Sequence, residues 1–413
     1  MPLLQTAAFS YPEFRRYYAG QAVSVVGTWM QSVAISWLVL ELSHNSALAL
    51  ALNGACQYGP VLVVGLFAGA LVDRTVHRDL LLLTQVVSTL GATGLALLSA
   101  SHLASLPAVY ALAALLGINQ ALYFPSRQAT VLEMVGRADL GSALALNAMA
   151  FNLARIAGPA IAGLVIAAVG VTACFWLNAV SYAGVMLALL TIRRHPVPPP
   201  SGLSTLGLIA EGLRYVGGVP VLGGLFALLF VASVFGANFT LVLPLFTRVT
   251  LQGSADQLGY LFSAQGLGAF TGALTMAAFG RSLLKPRRVV TSGLLFGAIE
   301  LLFVVSPGFW QAIALLLAIG WSFAVYSVGT NTLVQMRAPD RMQGRMVSLY
   351  STVFIGTTPI GALFAGLVAH RFGPPAAVTA GGAVTVATAA GVLAWLYARD
   401  GGDRSDRRST GRG

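Results

Sequence analysis

An offset of 203 residues superposes one half of this 413-residue chain on the other. Gly65, Gly69, Ala70 and Leu71 recur as Gly268, Gly272, Ala273 and Leu274, and Arg78, Leu80, Leu81, Val86 and Val87 as Arg281, Leu283, Leu284, Val289 and Val290. Further on, Gly117, Ala121 and Tyr123 recur as Gly320, Ala324 and Tyr326. Ala162-Gly163-Leu164-Val165 recurs as Ala365-Gly366-Leu367-Val368, flanked by the pairs Gly158/Gly361 and Gly170/Gly373. No insertion interrupts this span, so two halves of equal size and element order follow one another. Each half is almost wholly apolar, the pattern of secondary transporters built from repeats.

Composition identifies the solvent. Apolar residues make up 57% of the chain, charged residues 9%, and the mean hydropathy is +0.79. A soluble domain carries about 25% charged residues, so water is the wrong medium for this surface. Residues 17–40, 42–72, 215–247, 257–280, 346–370 and 372–398 contain no Asp, Glu, Lys or Arg. Each is long enough for one membrane helix, which needs about 20 residues. The runs 80–126, 141–192 and 289–336 each hold two, turning at 101–107, near Gly170 and at 306–308. The expected fold is an all-α membrane protein of twelve spans in two pseudo-symmetric six-helix bundles. The first bundle covers 1–192, a cytoplasmic linker 193–219, the second bundle 220–398 and a disordered cytoplasmic tail 399–413. Within the linker, 204–217 has the pattern of a short amphipathic helix at the membrane surface.

Basic residues set the orientation. With a cytoplasmic N-terminus, all of the 24 Lys and Arg side chains except Arg155, Arg248 and Arg371 fall on inner segments. The positive-inside rule therefore places both termini in the cytoplasm. The same dispersal removes nucleic acid as the meaning of the +11 net charge, since no basic stripe is formed. The opening MPLLQTAAFSYPEFRR predicts no cleavable signal peptide.

Several chemistries have no residues to carry them. The one lysine, Lys285, follows Leu284, so the chain has no phosphate loop ending in Gly-Lys. His44, His77, His102, His195 and His370 lack zinc-ligand spacing, and no Gly-x-Ser-x-Gly elbow occurs. Cys56 and Cys174 stand in apolar surroundings and read as small buried hydrophobes. The expectation is a protein that is not an enzyme, with no catalytic group, metal or cofactor.

Two stretches carry a family resemblance. Gly69-Ala70-Leu71-Val72-Asp73-Arg74 followed by Arg78 resembles the cytoplasmic loop signature of the major facilitator superfamily, with Val76 where that pattern usually has a second glycine. Asn147 to Gly163, together with Gly27-Thr28-Trp29-Met30-Gln31, resembles the branch that contains enterobactin exporters and macrolide efflux pumps. The resemblance covers about residues 10–398. It implies spans 1, 4, 7 and 10 around a cavity between the bundles, spans 2, 5, 8 and 11 as gates, and spans 3, 6, 9 and 12 facing lipid. It also implies that Asp73 and Arg74, with Gly69 and Arg78, belong to a cytoplasmic gate. Gly158-Pro159 with Gly163 resembles part of the glycine-proline pattern of drug/proton antiporters, supplying a kink and a close helix contact.

The residues allow a partial check. Gln21, Ser24, Thr28 and Gln31 form one polar face of the first span, which is costly against lipid and so faces protein or water. Both readings of that face are open: cavity lining, or hydrogen bonding to a neighbouring helix. Asn119, Gln120 and Tyr123 in the fourth span, Asn238 in the seventh and Tyr326 in the tenth are further cavity candidates. Arg155 stands mid-span in the fifth helix, one turn after Asn152, and its repeat mate is the neutral Thr358. It is either an anion or coupling site facing the cavity, or half of a structural ion pair. Glu300, toward the outer end of a span expected to face lipid, reads as an interfacial residue rather than a proton carrier, with a coupling role as the alternative, and Glu41 reads the same way.

The expected function is proton-coupled export of small amphiphilic compounds, drug- or siderophore-like, by a monomer in a bacterial cytoplasmic membrane. An importer of the same fold is the alternative. A transport-incompetent scaffold or partner subunit is the other, against which the polar stripe and Arg155 argue.

Overall fold

The computed structural model describes residues 6–72, 74–194, 205–305, 308–339 and 342–410. After a short 3-10 turn at Thr6–Ser10 come α1 (Pro12–Leu42), α2 (Ala47–Val72), α3 (His77–Ala100), α4 (Leu106–Val169) and α5 (Val171–Leu190). There follow α6 (Thr205–Gly218), α7 (Pro220–Val231), α8 (Phe239–Leu245), α9 (Ala255–Leu283) and α10 (Pro286–Val304). The chain ends with α11 (Phe309–Arg337), α12 (Gln343–Gly356), α13 (Thr358–Phe372) and α14 (Pro374–Thr410). No strand occurs among the described residues, and nine helices there are long and apolar enough to cross a membrane.

Local chemistry explains the boundaries. Proline stands at the first turn of α1, α4, α7, α10 and α13, where its missing N–H costs nothing. The repeat pair Gly170 and Gly373 makes the same turn twice, at φ 87° ψ 172° and φ 86° ψ 162°. Side chains other than glycine's hydrogen essentially never occupy that region. Each donates its N–H to the carbonyl four residues earlier, Ile166 and Ala369, which are themselves repeat mates.

Chain contacts divide the molecule into two units. One comprises residues 1–205 with 243–266, the other 206–242 with 267–413. The first unit has a core of Phe14, Tyr17, Leu81, Val131, Leu146, Val185 and Leu189. It also holds α4 across 127–140, where a loop between two spans is expected from the charges. Those residues are helical apart from Gly136 at φ 69°. Val131, Met134 and Val135 are buried in the same core, and that burial keeps the segment wound. Leu83, Val86, Leu90 and Leu97 leave an exposed apolar stripe on α3, the surface that lipid accepts and water does not.

In the second unit the helix that begins as α7 is interrupted. Residues 232–236 are wound with i→i+5 bonding, the Ala237 N–H reaching the Ala232 carbonyl at 2.7 Å. Ala237 and Asn238 lie outside any helix, and α8 carries Pro244 within it. Helix α6 forms where the amphipathic pattern predicts, tied down by the Arg345–Glu211 ion pair and by the Tyr215 hydroxyl donating to the Arg337 carbonyl. Helix α14 runs on to Thr410, where composition predicts a disordered tail. Pro196 to Pro200 lie outside the described residues.

Candidate functional site

The polar face of α1 opens on a cavity of about 250 Å³ inside the first unit. Gln21, Ser24, Thr28 and Gln31 all line it, and so do Asn119, Gln120 and Tyr123 of α4. The hydroxyl of Tyr17 donates to Gln21 Oε1 at 3.2 Å, and Gln21 Nε2 donates to the Tyr123 hydroxyl at 2.7 Å. Asn178 donates to Gln31 Oε1 at 2.8 Å. Asn119 donates to the Thr84 carbonyl and the Ser88 hydroxyl at 2.9 and 2.8 Å. The stripe therefore does both things its sequence allows: it bonds to neighbouring helices and lines a cavity. Gln85 Oε1, on a residue that also lines it, is a buried acceptor without a partner. Such an acceptor costs about 1–3 kcal/mol until a donor reaches it.

Aromatic walls complete the cavity: Trp29, Tyr58, Phe124, Phe151 and Tyr182. One cation lines it, Arg127, whose guanidinium lies 5.6 Å from the Tyr123 ring centroid and 5.9 Å from that of Phe124. No carboxylate is among the lining residues. This set can hold a flat, hydrogen-bonding compound and favours a negative or neutral one over a cation. Sequence reasoning missed Arg127 by assigning it to the cytoplasmic charge count. The available signal is its position one helical turn after Tyr123.

Other candidates are placed elsewhere. Arg155 does not line this cavity; its guanidinium sits 5.9 Å over the ring of Trp29, which does. Among the described residues no carboxylate pairs with it. Asn152 spends its amide on the Ala148 carbonyl. In the second unit, Asn238 donates to the Val234 carbonyl, and the fully buried Tyr326 donates its hydroxyl to the Leu225 carbonyl. Gly158 and Gly163 serve close packing. A Cβ on Gly158 would stand 2.6 Å from Trp29 Cβ, and one on Gly163 2.6 Å from the Ala255 carbonyl oxygen. The Pro159 carbonyl oxygen lies 2.4 Å from where a Cβ of Gly259 would stand.

The gate candidates separate in the same way. Asp73 lies outside the described residues, as does the Gly69 side-chain position, and Arg74 is exposed in the turn after α2. Arg78 is buried and engaged within the first unit: Nε donates to the Leu189 carbonyl at 2.7 Å and Nη2 to that of Leu190 at 3.2 Å. A guanidinium across the last carbonyls of α5 satisfies groups a helix end leaves open. Nearby, His77 Nδ1 meets Glu133 at 2.6 Å. The Tyr11 hydroxyl donates to Asp139 at 2.8 Å, and that bond, ahead of burial and the carboxylate's charge, raises the Tyr11 phenol above its ordinary range. Among the described residues no three His, Cys, Asp or Glu side chains gather as a metal site would require.

An all-helical chain of many apolar spans, with a polar and aromatic cavity within one helical unit, is a multi-pass membrane transporter. The transmembrane secretion effector family of the major facilitator superfamily matches residues 5–408, and the chain belongs to that family. It is 27% identical over 383 residues to the enterobactin exporter EntS of Salmonella choleraesuis strain SC-B67, covering 90% of this chain and 89% of that one. Identity to the Shigella flexneri enterobactin exporter EntS is 28% over 380 residues, with the same coverage. The fold is shared with a POT family transporter in complex with 5-aminolevulinic acid, at a TM-score of 0.74 and 12% identity over 93% of this chain and 96% of that one. A bacterial homolog of the human lysosomal transporter Spinster, inward-facing and unoccupied, gives 0.71 at 14% identity over 93% and 95%.

Proposed function

We propose that this chain is a secondary exporter of a bacterial cytoplasmic membrane, moving small amphiphilic organic compounds outward by alternating access against an inward flow of protons. On this reading it has twelve spans: α1, α2, α3, the two parts of α4 and α5 in one bundle, and α7–α8, α9, α10, α11, α12–α13 and α14 in the other. Both termini face the cytoplasm. The observation that carries the reading is the 250 Å³ cavity of the first unit, with its hydrogen-bonding stripe, aromatic walls and single guanidinium. Its lining favours an aromatic compound with acidic or hydroxyl groups over a cationic drug. The relatives named as enterobactin exporters support the outward direction and a siderophore-like substrate. Without a phosphate loop, energy comes from an ion gradient rather than from ATP bound to this chain. On the same reading Asp73 and Arg74 belong to a cytoplasmic gate, and Arg155 acts on the substrate path through Trp29.

The test is enterobactin uptake into inverted vesicles from cells expressing the chain. A protonophore abolishes uptake in the presence of ATP if the reading is right. Uptake that continues undiminished with ATP after the gradient is dissipated overturns it.

A further inference from the structure

The second unit contains a carboxylic acid that the cavity of the first does not use. Glu300 on α10 is 1% exposed, which corrects the expectation of an interfacial residue on a lipid-facing span: α10 turns this position inward, against Gly382 of α14 and the interrupted helix. Its Oε2 has no hydrogen-bond partner, and among the described residues no cation pairs with it. The cavity it lines measures about 10 Å³, at the lower limit for one water. Two further buried oxygens without partners, Ser233 Oγ and Thr385 Oγ1, belong to elements packed on this acid. The bare face of Gly236 brings the acid and Thr385 together: a Cβ there would stand 3.1 Å from Glu300 Oε2 and 3.1 Å from Thr385 Oγ1.

The surroundings decide the chemistry. A carboxylate with neither cation nor water costs about 3 kcal/mol or more at membrane depth, and carrying a proton removes that cost. Among the described residues the contacts around the acid include no charged side chain; cations of the packed elements, such as Arg287 and Arg288 of α10 and His370 and Arg371 of α13, stand at helix ends. Residues 232–236 present Phe235 and Gly236, α10 itself Phe296, and α14 Gly382 and Thr385. The titratable group these contacts bring nearest is Tyr326 of α11, which packs on Gly293, about two turns along α10. Beside the acid the α7–α8 helix is interrupted at 232–238. Non-helical backbone at membrane depth is tolerated where it lines a cavity, and interrupted helices are where transporters hold coupling ions.

We propose that Glu300 is the proton-binding carboxyl of the transport cycle, with the interrupted helix at 232–238 as the element that opens it to water. This rests on the proton-driven reading above. In the described conformation the acid is closed and holds its proton. Loss of that proton requires a conformation in which 232–238 moves off Glu300, so charge and conformation change together. In each cycle the carboxylate takes one proton from a hydronium on the outer side, leaving water. It returns one to water on the inner side, and no other reactant is needed.

The full chain in proteoliposomes tests this with enterobactin as the probe. The wild-type protein accumulates enterobactin under an imposed pH gradient and also exchanges it by counterflow at equal pH. Glu300→Gln, which mimics the protonated acid, keeps counterflow within about twofold but loses gradient-driven accumulation by about tenfold or more. Wild-type accumulation by Glu300→Gln overturns the proposal, as does a sodium gradient that replaces the pH gradient in the wild type and fails in the variant. Should the variant lose both activities, infrared spectra of the purified wild-type protein between about pH 5 and about pH 9 decide. A protonated-carboxyl band that titrates and is missing from Glu300→Gln supports the site, and its absence overturns it. Wild-type counterflow with no response to a pH gradient instead refutes the proton-driven reading, and this site with it.

Discussion

Replacing Arg78 by alanine separates a packing role from a gating one. Its guanidinium bridges the last two carbonyls of α5, at 2.7 and 3.2 Å, from a side chain that is only 10% exposed. A hydrogen bond to a charged group contributes about 1.5–3 kcal/mol, the longer one less than the shorter. The neighbouring Asp79, 3.2 Å away and 38% exposed, adds little, because such pairs are worth about 0–1 kcal/mol. The loss therefore totals about 3–5 kcal/mol, roughly 6–20 degrees of melting temperature for a unit of this size. Arg78→Lys recovers less than half, since one ammonium reaches one carbonyl well and keeps only the favourable charge at a helix C-terminus. The assay is a thermal melt in detergent beside enterobactin transport per folded molecule. An Arg78→Ala protein that melts like wild type yet does not transport refutes the reasoning and returns Arg78 to the gate.

Arg155→Ala costs about 1 kcal/mol of stability, because among the described residues its head group is held by a cation–π contact with Trp29 at 5.9 Å and by no ion pair. It nonetheless abolishes or strongly reduces transport, and Arg155→Lys restores part. Normal transport per folded molecule together with a sharply lowered melting temperature contradicts this. Gly170→Ala and Gly373→Ala each destabilise by about 1–3 kcal/mol and by similar amounts, since both mates hold the same glycine-only backbone. Urea or thermal unfolding that finds either substitution neutral refutes the claim of a shared turn.

Much of this architecture is legible in the sequence for a simple physical reason. Lipid demands long uncharged helices, so several charge-free runs and observed elements nearly coincide, as 42–72 does with α2 at Ala47–Val72 and 257–280 with α9 at Ala255–Leu283. The repeat is legible down to a single turn, at Gly170 and Gly373. The α1 stripe is legible as well, because a polar face at helical spacing has few places to go. What fails is whatever depends on how far a helix is rotated. Glu300 sits on a span assigned to lipid, yet α10 turns it inward against Gly382 and Gly236. Arg78 and Arg127 look alike in a charge count; one caps α5 and the other lines the cavity. The interruption at 232–238 is marked in the charge-free run 215–247 only by Ser233, Gly236 and Asn238 within it and Pro244 beyond it, none of which by itself signals a broken helix.

The central claim is that the first unit's cavity receives the substrate and reads its charge through Arg127. Equilibrium binding of salicylate and of its uncharged counterpart salicylamide, to the purified wild-type protein and to Arg127→Gln, tests it most directly. The wild-type protein binds the anion about tenfold more tightly, about 1.4 kcal/mol, and Arg127→Gln binds both alike, so the preference belongs to the pair of charges. An anion preference that survives unchanged in Arg127→Gln contradicts the claim, and so does a wild-type protein that binds neither compound.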